Sequence, residues 1–274
     1  MPTFKYDEHE VYYDVKGEGK PILLLNGIMM STRSWDVFSD TLSQHNKLIR
    51  VDFVDQGQSA KFSKSKLYSQ DYQVDLIAAL LNEIRIGKAN VVGISYGAEV
   101  AIQFAIKYPE LLNRLVLFNA PAYTSPWLRD IGNSWNEIGK TRNGKSYYLA
   151  TIPVIYSPKF YERNLGWMKK REELLIPVFS NPAFLDAMER LTKSAEDYDA
   201  RDNLSKITAK TLIIGALEDY LTPVANQYYL NEKIANSELI LLPNVGHASM
   251  YEKPGLFVAI VLGYINALRL EYKI

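Results

Sequence analysis

The sequence predicts an α/β protein: a mostly parallel central sheet flanked by helices, with a helical insertion in the middle of the chain. Three observations carry this. Short, almost wholly apolar runs recur at residues 21–25, 91–92, 114–118 and 211–214, as strands buried on both faces require. Segments of helical period separate them, the clearest placing Leu76, Ile77, Leu80, Leu81 and Ile84 on one face. Between Tyr123 and about Asn203 that alternation stops, and segments rich in Trp, Tyr and Leu take its place.

In chain order, residues 4–6 and 10–15 read as two early strands, followed by a turn at Lys16-Gly17-Glu18-Gly19-Lys20. Residues 21–25 form a buried central strand that ends in the loop Asn26-Gly27-Ile28-Met29-Met30-Ser31. A helix over 35–42, a strand over 48–53 and the loop Asp55-Gln56-Gly57-Gln58-Ser59 come next. The helix over 71–86 is expected to end at Gly87 as its C-cap. After the strand over 114–118 comes the insertion, whose loosely helical segments are read as broken by Pro126, Pro153, Pro158, Pro177 and Pro182. The sheet resumes at 211–214, and a helix over 224–234, a strand over 238–242 and a closing helix over 254–268 complete the chain. Alternating strands and helices imply crossover helices on both faces of the sheet. Residues 1–122 and 204–274 thus form the core domain, and 123–203 a lid over the C-terminal edge of the sheet. A separate small domain or a partner-binding face is the other reading of that segment.

Composition narrows the function. The 274 residues carry 31 basic and 31 acidic side chains, so no net charge favours nucleic acid or an anionic membrane surface as a partner. With no cysteine, disulfides and thiolate metal sites are excluded. The N-terminal MPTFKYDEHE is unlike a signal peptide, and the longest uncharged apolar run, residues 256–268, is too short to span a bilayer. A cytoplasmic enzyme or binding protein is expected, with no membrane span and no nucleic-acid partner.

The chemistry gathers at Gly93-Ile94-Ser95-Tyr96-Gly97, a G-x-S-x-G set between a β-branched strand and an apolar-periodic helix. In that context the serine sits on a sharp turn with its hydroxyl thrust outward, and Ser95 is the candidate nucleophile. An ordinary β–α turn with an N-cap serine is the alternative. A serine needs a base, and only three histidines exist. His9 and His45 are expected at the surface, whereas His247 follows the last strand on the same sheet edge as Ser95. The base in turn needs a carboxylate. Gly215-Ala216-Leu217-Glu218-Asp219-Tyr220-Leu221-Thr222-Pro223 offers two, and Asp219, four residues before Pro223, is favoured over Glu218. Asn119, at the end of the strand before the insertion, cannot supply the charge. Backbone N–H groups of Tyr96 and Ile28 are the candidate oxyanion donors.

These ordered motifs, together with D-x-L-T-P at Asp219 to Pro223 and Gly246-His247, make nearly the whole chain resemble the α/β-hydrolase-fold family with a helical lid, in its serine esterase and lipase-like form. The resemblance implies triad roles for Ser95, Asp219 and His247 and oxyanion-hole roles for Ile28 and Tyr96. Two departures stand out. The family's usual His-Gly is Asn26-Gly27 here, and D-x-x-G-x-G-x-S survives as Asp52, Gly57 and Ser59 with Asp55 at the first glycine. The loop Asn26 to Met29 and Gly57-Gln58-Ser59 also resemble the acyltransferase branch that makes hydroxyacyl-ester lipid precursors.

The expected function is therefore hydrolysis of carboxylic esters of small or apolar acyl groups through an acyl-enzyme, with a small-molecule ester or thioester as substrate. An acyltransferase or thioesterase, or a carbon–carbon bond hydrolase, would use the same triad; a non-catalytic ligand receptor is the rival from another class. A serine nucleophile speaks against dehalogenase and epoxide hydrolase chemistry, and no metal or organic cofactor is implied. Trp127, Trp135, Trp167, Tyr147, Tyr148, Phe160, Tyr161, Phe179 and Met188 would either receive an apolar group or pack the lid.

Overall fold

The computed structural model describes residues 2–63 and 67–270. Its eight strands are β1 (Thr3–Tyr6), β2 (His9–Lys16), β3 (Lys20–Leu25), β4 (Asn46–Val51), β5 (Ala89–Ile94), β6 (Leu112–Phe118), β7 (Lys210–Ala216) and β8 (Ser237–Leu242). They lie in the order β1-β2-β4-β3-β5-β6-β7-β8. β1 pairs antiparallel with β2, and β2 with β4; every other neighbour is parallel. The α/β class and the mostly parallel sheet are thus as expected.

The apolar runs follow from burial on both faces. Leu23, Leu25, Val91, Leu115 and Leu117 join one core cluster with the helices Asp71–Glu83 and Tyr96–Lys107. Their neighbours Ile22, Leu24, Val92, Val116 and Phe118 point the other way, into a cluster with Trp35, Phe38 and Phe257 from the helical segments around Asp36–Ser43 and Pro254–Asn266. Alternate residues face opposite layers, and both layers are dry.

Between β6 and β7 run the helices Pro126–Lys140, Gly144–Thr151, Pro158–Arg163, Leu165–Phe179 and Pro182–Ser194. Trp135, Tyr147, Tyr148, Met168, Phe179 and Leu185 form their own apolar cluster, which Leu221 and Ala248 of the sheet edge join. Most of the prolines start helices rather than break them. Pro126, Pro158 and Pro182 occupy first-turn positions, with Ser125, Ser157 and Asn181 accepting a backbone N–H as caps. Pro177 corrects the expected break: it lies inside Leu165–Phe179. The hydrogen bond it removes falls in the last turn, and buried Phe179 anchors the helix beyond it.

Two other expectations fail. The helix Asp71–Glu83 stops short of Gly87; Arg85 takes the left-handed conformation (φ +57°), and Ile86 N–H bonds Leu81 C=O at 2.8 Å. Drawing Ile86 into the core sets the turn there. His9 is buried, not superficial: its Nδ1 lies 2.8 Å from the Tyr72 hydroxyl and its ring 4.4 Å from that of Phe62. His45 is exposed. Among the described residues no helix is long and apolar enough to cross a membrane.

Candidate active site

At the end of β5 the chain reverses through Ser95, held at φ +53° and ψ −122°. A non-glycine residue there stores about 1–3 kcal/mol of strain, tolerated only where the surroundings leave no alternative. Here Ser95 N–H bonds Phe118 C=O (3.0 Å), while Ser95 C=O accepts from Ala98 (2.7 Å) and Glu99 (3.1 Å) at the start of the following helix. Glycines permit the approach. A Cβ on Gly93 would sit 2.5 Å from the Gly97 carbonyl oxygen, and one on Gly97 would sit 2.3 Å from that of Leu25.

The loops after β7 and β8 are fastened together. Leu217 N–H bonds Leu242 C=O (3.0 Å) and Glu218 N–H bonds Val245 C=O (2.9 Å). This brings Asp219 Oδ2 to 2.7 Å from His247 Nδ1. The Asp219 carboxylate is fully enclosed and also accepts from Leu221 N–H (2.8 Å), Thr222 N–H (2.9 Å) and the Thr222 hydroxyl (2.7 Å). Those donors fix its rotamer. Because a carboxylate only accepts, Nδ1 carries the ring hydrogen and Nε2 is left to act on a proton elsewhere. Glu218 is half-buried and has no bond to the ring among the described residues.

Asn119 takes part after all, though not as an acid. Left-handed at φ +50°, it donates Nδ2–H to the His247 carbonyl (2.6 Å), and its own carbonyl lies 3.0 Å from the Thr222 hydroxyl. A buried amide can pin a histidine loop that a carboxylate would repel, and only the fold reveals this use.

The loop after β3 is braced by Asn26 and Gln56. Asn26 Nδ2–H donates to Val51 C=O (2.8 Å) and Gln56 Oε1 (3.0 Å), and its Oδ1 accepts from Trp35 Nε1–H (2.6 Å). Gln56 Nε2–H returns bonds to Gly27 C=O (3.0 Å) and Ile28 C=O (3.3 Å). With the carbonyls so engaged, Ile28 N–H and the helix-opening Tyr96 N–H are left without an acceptor among the described residues. Asp52, behind the loop, accepts from Thr32 N–H (2.6 Å) and Gln58 N–H (2.7 Å). Asp55, left-handed at φ +77°, accepts from Arg190 of the insertion at 2.6 Å in a wholly buried pair.

Ser95, Tyr96, Ile28 and His247 line one cavity of about 170 Å³, closed on the far side by Leu128, Trp135, Leu175 and Phe179 of the insertion. That is about the volume of an apolar cavity able to hold a benzene ring. Of the insertion aromatics singled out in the sequence, Trp135 and Phe179 line it, whereas Tyr147 and Tyr148 pack within the insertion and Trp127 is largely exposed. Charged residues that went unnoticed in the sequence also line the cavity, among them Glu99 and Arg171. Burial pushes the Glu99 carboxyl up to about 7, against the pull of a 2.6 Å hydrogen bond from Gln70 and of the His247 charge. Among the described residues no cluster of three or more His, Asp or Glu could hold a metal.

A family model described as "alpha/beta hydrolase fold" matches residues 20–254. A solved structure, MGS-M2, an alpha/beta hydrolase enzyme from a Medee basin deep-sea metagenome library, is 51% identical, covers 100% of both chains and superposes with a TM-score of 0.97. The pimeloyl-[acyl-carrier protein] methyl ester esterase of Nitrosomonas europaea is 27% identical over 91% of this chain and 97% of its own. The 2-hydroxymuconate semialdehyde hydrolase of Pseudomonas sp. strain CF600 is 22% identical over 89% of this chain and 86% of its own.

Proposed function

The chain belongs to the α/β-hydrolase fold family, an enzyme among hydrolases, and from that premise we propose that it is a serine hydrolase cleaving carboxylic esters of small or apolar acyl groups. The observation that carries the reading is the 2.7 Å Asp219–His247 pair opening on the cavity that Ser95 heads. In this mechanism His247 takes the Ser95 proton as the serine oxygen attacks the acyl carbon. Asp219 stabilises the imidazolium. The N–H groups of Ile28 and Tyr96 receive the developing oxyanion. Collapse expels the alcohol, which takes its proton from His247, and a water activated by the same ring releases the acid. Residues 123–203 act as the lid, supplying the apolar wall. The small cavity favours short acyl chains, and the ester named for the Nitrosomonas relative agrees with ester chemistry.

The test compares p-nitrophenyl esters with acyl thioesters of equal chain length, for the wild type, Asp219→Asn and Glu218→Gln. Short esters should be the better substrates. Asp219→Asn should lower kcat by about 10⁴-fold through loss of the required tautomer, while Glu218→Gln stays near wild type. Equal losses in the two variants would overturn the choice of acid, and a preference for thioesters would overturn the choice of substrate.

A further inference from the structure

Three cationic side chains line the cavity: Arg129, Arg171 and Lys193. Two are already neutralised. Arg129 donates to the Glu196 carbonyl (2.8 Å) and lies 3.6 Å from the Asp197 carboxylate, and Lys193 pairs with Glu189 at 2.9 Å. Arg171 differs. Its Nε is buried without a hydrogen-bond partner, and among the described residues no carboxylate pairs with it.

The guanidinium is nevertheless held in place. It lies 4.7 Å over the Tyr251 ring and 5.3 Å from that of Trp167. Trp167 is itself wedged edge-on against Tyr156 (5.9 Å) and Phe160 (5.7 Å), and the Tyr251 hydroxyl donates to Ser34 C=O at 3.3 Å. Aromatic faces thus bracket the group and leave its buried Nε–H without an acceptor among the described residues. Tyr156, 1% exposed, adds a second unused polar atom to this cluster, since its hydroxyl is buried with no partner. Arg171 is half-buried, but a buried Nε–H left without a partner is costly unless a ligand brings an acceptor to it.

Resting on the assignment of Ser95 as nucleophile, we propose that Arg171 forms a carboxylate subsite of the same cavity, so that the substrate is an ester carrying a free carboxylate on its apolar portion. A planar two-oxygen acceptor matches the guanidinium fork. One cation balances one carboxylate, whereas a phosphate dianion would leave excess negative charge in a space that also holds Glu99.

The test uses p-nitrophenyl hemiesters of dicarboxylic acids from succinate to adipate against neutral p-nitrophenyl alkanoates of equal length, on the folded wild type, Arg171→Met and Arg171→Lys. In the wild type the ratio of kcat/KM for charged over neutral ester should exceed one. It should fall at least tenfold in Arg171→Met, through KM, and by less in Arg171→Lys, which keeps the charge but not the fork. A second readout needs no turnover: calorimetric binding of monomethyl glutarate to Ser95→Ala, abolished in Ser95→Ala/Arg171→Met. An unchanged ratio together with unchanged binding overturns the subsite, and tighter binding of a phosphomonoester probe overturns its assignment to carboxylate. Failure of the wild type to hydrolyse either series overturns the esterase reading instead, with the binding arm still deciding the subsite.

Discussion

Ser95, Asn119 and Asp55 all adopt left-handed backbone without being glycine, at φ +53°, +50° and +77°. Each lies on a turn at the end of a strand or just beyond it, on the edge where the cavity opens, and each is fixed by hydrogen bonds rather than by its own preference. Glu99 is the residue whose titration should be visible in stability. Its ordinary value near 4.5 rises to about 7 in the fold because burial disfavours the charged form. The folded state therefore holds a proton that the unfolded chain has lost between those values. The contribution of Glu99 to stability is fully present below about pH 4.5 and disappears as pH rises through about 7, a swing on the order of 3 kcal/mol. Glu99→Gln, which can keep the bond from Gln70, should therefore gain in melting temperature relative to wild type between pH 5 and pH 8. A difference that stays constant with pH would show that Glu99 titrates normally. None of this was legible from residues alone. Nothing in the sequence marks Glu99, and the Gln70 amide that bonds it comes from another part of the chain.

At the scale of elements, the strands were legible because burial on two faces leaves an unmistakable apolar run, and the helices because one face must stay dry. What escaped was whatever depends on a partner far along the chain. The prolines of the insertion read as breaks because a sequence does not say whether a proline stands at the first turn of a helix or inside it; only Pro177 is internal. His9 read as superficial because the rings of Phe62 and Tyr72 that cover it come from other elements. The Asp55–Arg190 pair, which ties the loop after β4 to the insertion helix Pro182–Ser194, was equally hidden. Removing one partner of such a buried pair strands the other charge and should cost about 3–5 kcal/mol. In urea titrations, Asp55→Asn (which tolerates the left-handed backbone) and Arg190→Met should each destabilise by about that much, and the double variant by clearly less than the two losses added together. Strict additivity would mean the pair carries no coupling.

For the whole molecule, the parallel sheet gathers the ends of β3, β5, β7 and β8 along one edge. Ile28, Ser95 and His247, scattered over more than two hundred positions, line one cavity there, and Asp219 hydrogen-bonds to His247. The order of those motifs was legible because each follows its strand directly. The charge lining of the cavity was not, since Arg171 enters from an insertion whose packing has no counterpart in the strand–helix rhythm. The central claim, that Ser95 is an activated nucleophile, is tested most directly by intact-mass analysis after exposure to a fluorophosphonate. The account predicts one adduct on the wild-type chain, mapped to Ser95, none on Ser95→Ala and strongly slowed labelling of Asp219→Asn. A folded wild type that takes no label, or a Ser95→Ala variant labelled as readily as wild type, would contradict it.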